Sequence, residues 1–118
     1  MIKSIGIVGS RRRVSVKDFQ KIEKKLLAIY EEGDYIVSGG CPTGADSYAE
    51  ILAKKHQIPI TIYYARWNVY GKGAGHKRNT YIAEDADVLI ATPAEDRTGG
   101  TEDTIKKATK LEKEVILL

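Results

Sequence analysis

Cysteine occurs once in the 118 residues, as Cys41. Neither an internal disulfide framework nor a zinc site built from several thiolates is open to the chain, and a reducing, cytoplasmic setting is expected. No apolar run approaches the roughly 20 residues that a membrane-spanning helix needs, and the N-terminus lacks a signal-peptide pattern, so no membrane partner is expected. Charge of one sign is also missing: 19 basic and 16 acidic residues leave a net +3. That excess does not by itself imply nucleic acid, because duplex readers concentrate basic residues on one face. The composition, 42% hydrophobic and 30% charged, is that of a soluble globular domain. At this length one compact core is affordable and two ordinary domains are not. Repeats, low-complexity tracts and linkers are absent, so residues 1–118 are read as one domain.

What is present is a regular alternation of apolar patterns. Ile5-Gly6-Ile7-Val8 reads as a buried strand, after which Val16, Phe19, Ile22, Leu26 and Tyr30 recur at helical spacing. Tyr35-Ile36-Val37 is a second strand, followed by a helix carrying Ala45, Tyr48, Ala49, Leu52 and His56 on one side. Ile58 to Tyr63 is a third strand, with Pro59 near its start. A long glycine-bearing loop leads to a helix from about Gly75 to Asp85. Val88-Leu89-Ile90, a helix marked by Ile105, Ala108 and Leu111, and a closing strand from Val115 to Leu118 complete the pattern. Continuous apolar strands are covered on both faces, as in parallel sheets with crossover helices. The expected architecture is therefore a three-layer α/β domain, with a five-stranded, mainly parallel sheet and helices on both faces.

Small-residue loops follow the apolar runs: Gly9-Ser10-Arg11, Ser38-Gly39-Gly40, Gly71 through Gly75, Thr92-Pro93-Ala94, and Thr98-Gly99-Gly100-Thr101. Right-handed crossovers put every strand-to-helix loop on the same edge of the sheet, so these loops are expected to converge. Glycine turns that open helices place backbone N–H groups and helix N-termini around phosphate, which points to a nucleotide or nucleotide-derived ligand at that edge.

Individual residues carry competing roles. Ser10 and Arg11 are expected to contact phosphate, whereas Arg12 and Arg13 read as a solvated extension of the basic run. Gly39 and Gly40 allow close backbone approach, and Thr43 is a candidate helix N-cap. For Asp46, just after Gly44-Ala45, two roles stay open: a first-turn acid stabilised by the helix dipole, or a group that holds a ribose hydroxyl. Trp67, near Tyr63, Tyr64 and Tyr70, either stacks a base or packs beneath the long loop; packing is the reading for the tyrosines. Arg78, near the start of its helix beside Gly75, is the strongest single candidate for an anion contact, against a surface ion pair with Glu84 or Asp85. His76 reads as a surface or site-lining residue, His56 as structural and Cys41 as a small packed residue; no metal ligand set and no cofactor is expected.

Taken in order, Gly9-Ser10-Arg11, Ser38-Gly39-Gly40 with Gly44-Ala45-Asp46, Trp67, Gly71, Ala74-Gly75, Arg78-Asn79, Ala86-Asp87 and Gly100-Thr101 resemble the SLOG superfamily, in its YspA-like branch. The resemblance spans essentially the whole chain. It implies a Rossmann-like fold with a nucleotide-type site at the carboxyl edge of the sheet. The superfamily includes Lonely Guy (LOG) phosphoribohydrolases, the single-strand-binding domain of DprA, and stand-alone modules thought to sense nucleotide-derived ligands.

The hydrolase branch carries His, any residue, Arg, Lys where this chain has His76-Lys77-Arg78-Asn79, so Arg78 matches and Asn79 replaces the lysine. Its Gly-Thr falls on Gly100-Thr101, its catalytic glutamate on Thr104, and its proline-glycine-glycine loop is split here, Pro93 standing apart from Gly99-Gly100. An oxocarbenium-like transition state needs a carboxylate that threonine cannot supply. Asp103, or failing it Glu102, is the candidate substitute should hydrolysis occur with Arg78. The resulting expectation is a binding or sensing domain for a nucleotide or ADP-ribose-like ligand. A nucleoside-monophosphate phosphoribohydrolase is the enzymatic alternative, and a DprA-like single-strand binder the less favoured one. The dimeric LOG-type relatives also imply a homodimer, with Tyr48 and Tyr81 on outward helices available to pair across a twofold axis.

Overall fold

The computed structural model describes residues 2–41 and 44–118. Its core is one five-stranded sheet in the order β3-β2-β1-β4-β5, formed by β1 (Ser4–Gly9), β2 (Tyr35–Ser38), β3 (Ile60–Ile62), β4 (Val88–Thr92) and β5 (Glu114–Leu117). All four pairings are parallel, as the continuous apolar runs anticipate. The helices are α1 (Val16–Ile29), α2 (Ala45–His56), the short α3 (Trp67–Tyr70), α4 (Ala74–Asp85) and α5 (Gly100–Lys110). None among the described residues is long and apolar enough to cross a membrane.

Period-two alternation along the strands sorts the core into two layers. Ile5, Ile7, Ile36, Val88 and Ile90 meet Ile22 and Leu26 of α1 and Ala45, Ala49 and Leu52 of α2. On the opposite face Val8, Val37, Leu89 and Ala91 meet Ile82 and Ala83 of α4 and Ile105 and Ala108 of α5. Full burial of each large aliphatic side chain is worth about 1.5–3 kcal/mol, which makes this sandwich the main source of stability.

Local signals set the helix ends. Ser15 caps α1 in a reciprocal box with Asp18: the serine hydroxyl accepts the Asp18 N–H at 3.1 Å and the Asp18 carboxylate accepts the Ser15 N–H at 3.3 Å. Gln57 ends α2 in the left-handed region. The third strand is shorter than its apolar run. Ile58 turns back on α2 through its N–H to the Ala53 carbonyl, and Pro59 offers only a carbonyl, which accepts from Ile36. The loop after it also holds more structure than its glycines suggest, with α3 followed by a 3-10 turn over Gly71–Gly73.

The chain runs outward from β1 to β2 and β3, then returns across the sheet to place β4 on the other side of β1. This reversal leaves a crevice at the carboxyl ends of β1 and β4, the place where open α/β sheets hold ligands. The opposite edge is tied shut. Asp34, fully buried, accepts Lys3 Nζ at 2.5 Å and the Lys3 and Glu31 N–H groups at 2.9 Å each, while Ser4 donates its N–H to Asp87 and its hydroxyl to the Asp85 carbonyl.

Candidate functional site

A cleft of about 350 Å³ occupies that crevice. Gly9 ends β1 beneath the first turn of α2, where a Cβ would sit 2.6 Å from Ala45 Cβ and overlap the Thr92 hydroxyl. Absence of a side chain is what lets the helix lie across the strand end. The chain then turns tightly. Ser10 N–H donates to the Thr92 carbonyl at 2.9 Å, the Ser10 carbonyl accepts Arg13 N–H at 3.0 Å, and its hydroxyl accepts Arg12 N–H at 3.1 Å.

The basic run that follows divides by function. Arg13 bonds the Asp18 carboxylate and the Pro93 carbonyl. Arg12 forms a bidentate pair with Asp96 at 2.9 and 3.0 Å and reaches Thr98 at 2.8 Å, tying the loop after β1 to the loop after β4. This contact holds the Asp96 carboxyl down at about 2. Arg11 lines the cleft, is exposed, and has no ion-pair or hydrogen-bond partner among the described residues.

Two helices begin at this edge from an N-cap glycine of positive φ and with no side-chain cap: α2 at Gly44 (φ 73°) and α5 at Gly99 (φ 103°). The first N–H groups of a helix lack intrahelical acceptors, so each start is a concentration of unspent donors. Gly99, Gly100 and Thr101 line the cleft directly. A Cβ on Gly44 would approach the Ser10 carbonyl to 2.9 Å, so this glycine serves the packing of the two loops. Thr43, the expected cap, lies outside the described residues.

Arg78 and Asn79 link the far wall. Arg78 Nη1 donates to the Gly39 carbonyl at 2.7 Å and Nε to Asn79 Oδ1 at 2.9 Å, while Asn79 Nδ2 donates to Asp103 at 3.1 Å and to the Gly100 carbonyl at 3.3 Å. One relay thus fixes the loop after β2, the start of α4 and the start of α5. Neither Glu84 nor Asp85 pairs with Arg78; Asp85 instead accepts the hydroxyls of Tyr35 and Tyr63, each at 2.8 Å. That bond and partial burial push the Tyr63 hydroxyl up to about 12.

Asp46 lines the cleft from the first turn of α2, and its carboxylate accepts the Cys41 N–H at 3.1 Å. Burial pushes its carboxyl up, against the pull of the Cys41 N–H and the nearby Arg78. The other two candidate acids do not line the cleft. Glu102 is gripped by Arg97 at 2.6 and 3.0 Å. Asp103 is held by Lys107 at 2.9 Å, by Asn79 and by His76 at 3.1 Å, and these contacts lower its carboxyl although burial alone would raise it. Thr104 is buried in the helix interface.

Gly9, Ser10, Arg11, Asp46, Arg78, Asn79, Gly99, Gly100 and Thr101 therefore share one cleft. Ser38, Gly39, Gly40, Gly44, Trp67 and Gly75 stand outside its lining and act at one remove or elsewhere. Ser38 is buried with its hydroxyl unpaired among the described residues, Gly39 supplies the carbonyl for Arg78, and Gly40 (φ 72°) lies under the Tyr64 ring. Trp67, 60% exposed, covers Gly75. Tyr48, proposed for an outward contact, packs edge-on against Phe19 with ring centroids 5.2 Å apart.

Sequence reasoning missed Val8, Cys41, Ile82 and Thr98 as wall residues, and Arg12, expected as a solvated extension, both lines the cleft and ties its loops through Asp96. The position of Thr98 inside a small-residue loop was a usable signal; a pairing between residues 84 apart was not. Among the described residues no group of three His, Cys, Asp or Glu side chains is placed to hold a metal ion. Compared with family models and with curated proteins, the chain matches none.

Proposed function

We propose that this domain binds or senses a nucleotide or nucleotide-derived ligand, of the ADP-ribose kind, with its phosphate in the cleft at the β1–β4 switch point. The observation that carries this reading is the convergence of a guanidinium without a partner among the described residues, Arg11, with the uncapped N-terminus of α5 at Gly99, Gly100 and Thr101 in one cleft. A helix N-terminus with a nearby cation is an anion site by its own electrostatics. The volume, near 350 Å³, lies at the small end of ligand pockets and suits the sugar-phosphate part of such a ligand. Binding rather than cleavage is preferred because Glu102 and Asp103 are engaged by Arg97 and Lys107 away from the cleft. A homodimer belongs to the same reading, with the 40% exposed Tyr81 on the outer face of α4 as a contact, and light scattering at micromolar concentration tests it.

The direct test is a thermal-shift and calorimetric screen. AMP, ADP-ribose and inorganic phosphate should raise the melting temperature, as any ligand of the native state does, and free adenosine should do so less. Arg11→Ala should weaken AMP by about 1.5–3 kcal/mol, with Arg11→Lys recovering only part. Chromatography of AMP incubations should show no release of free base. No stabilisation by any phosphate compound would refute the site; robust base release, lost in Asp103→Asn, would refute the binding-only reading.

A further inference from the structure

Asp46 is the only acid among the described residues that line the cleft. Most of the polar groups around it are donors: the Arg11 and Arg78 guanidinium groups, the Ser10 and Thr101 hydroxyls, and the first N–H groups of α5. An ionised carboxylate in such a place opposes a bare anion, and the opposition strengthens where water is excluded. The arrangement makes chemical sense when the ligand offers this carboxylate a hydrogen.

The carboxylate is not consumed by the protein. It accepts the Cys41 N–H at 3.1 Å, with the Gly39 N–H also turned toward it. Two backbone donors leave unused part of the roughly four acceptor positions a carboxylate has. The nearest cation is directed elsewhere: Arg78 spends Nη1 on the Gly39 carbonyl and Nε on Asn79. Among the described residues no salt bridge engages Asp46. The residue is nonetheless only 8% exposed and lines the cleft, so a further partner reaches it through the cleft.

We infer that Asp46 reads a sugar hydroxyl: the ligand turns the vicinal 2′- and 3′-hydroxyls of a ribose to this carboxylate while its phosphate lies among the donors at Arg11, Gly100 and Thr101, and the domain thereby selects ribonucleotides over deoxyribonucleotides. This rests on the nucleotide reading proposed above and adds the feature of the nucleotide that is recognised. A purely structural Asp46, holding the Cys41 turn, would leave the two kinds of sugar equal.

Calorimetry with AMP, 2′-deoxy-AMP, 3′-deoxy-AMP and inorganic phosphate separates these cases. Wild-type protein should bind AMP about tenfold or more tightly than either deoxy analogue, the size of one hydrogen bond to a charged acceptor. Asp46→Asn keeps an oxygen for the Cys41 N–H and removes the charge. It should narrow the ratio severalfold and leave phosphate affinity unchanged or higher. Equal binding of AMP and both analogues by the wild type overturns the inference and leaves the nucleotide reading standing, whereas absence of AMP and phosphate binding removes both. Full discrimination retained by Asp46→Asn overturns it as well, by moving the selectivity to another group. Should that variant fail to fold, the wild-type ratio alone decides.

Discussion

A methyl group added at Gly9 tests the packing that creates the cleft. Its carbon would lie 2.6 Å from Ala45 Cβ and overlap the Thr92 hydroxyl. Carbon atoms rest comfortably at about 3.5–4.0 Å, so the start of α2 has to retreat by roughly 1 Å from the end of β1. Both neighbours are fully buried, which leaves little room to relax. Overpacking of this kind costs about 1–3 kcal/mol. Unfolding entropy near the midpoint is about 2.1 cal/mol/K per residue, or roughly 0.25 kcal/mol/K for 118 residues, so Gly9→Ala should lower Tm by about 4–12 °C. Thr92 supplies an independent check, because its hydroxyl is buried without a partner among the described residues. Thr92→Ala removes one of the two overlaps, and the double variant should be less destabilised than the sum of the singles. Calorimetry and urea titration of the four proteins give the cycle. A Gly9→Ala protein melting within 1 °C of wild type, or strict additivity, would refute the close packing of β1, β4 and α2.

Gly100→Ala is the complement: nothing lies within 4 Å of the added carbon, so stability should hold or rise slightly, while AMP binding weakens if the start of α5 faces the phosphate. Asp34→Asn should flatten the acid limb of the stability curve. Burial alone would raise the Asp34 carboxyl, but Lys3 and the Lys3 and Glu31 N–H groups bring it below 3.8. Its contribution is therefore complete above that value and lost as pH falls through the lower folded-state value, which urea titrations from pH 7 to pH 2 will reveal. Arg12→Ala should leave Tm nearly unchanged, since the pair with Asp96 is exposed, yet speed amide hydrogen exchange across residues 95–99; unchanged exchange would show that the tie does not order the loop.

The fold was legible because its signals are repeated. Ile5 and Ile7 against Val8, or Ile36 against Val37, follow one rule on every strand, and α1, α2 and α5 each show their own apolar spacing. Convergence of Gly9, Gly99 and Gly100 followed from handedness alone. What escaped was pairwise and long-range. Nothing in Arg11-Arg12-Arg13 says that the second and third guanidinium groups find Asp96 and Asp18 while the first finds none among the described residues. Nor does Glu102-Asp103 disclose that both acids turn away from the cleft, because that depends on Arg97 (φ 57°) and Lys107 reaching them first. For Trp67, stacking a base and packing under the loop both stood open; its contact with Gly75 depends on a short helix that its glycine-rich surroundings conceal.

The parallel pairing of β1 with β4 has a bearing on synthesis. Ile5 lies beside Val88 and Gly9 beside Thr92, so β1 leaves the ribosome well before its second neighbour exists. Such high contact order slows folding, and the nascent chain meanwhile carries an apolar strand with one open side. The cleft itself is assembled late, since its walls run from Gly9 to Thr101. Nascent chains halted before α5 should be blind to ligand and dependent on chaperones, and competence to bind should arrive in one step with the closing helix.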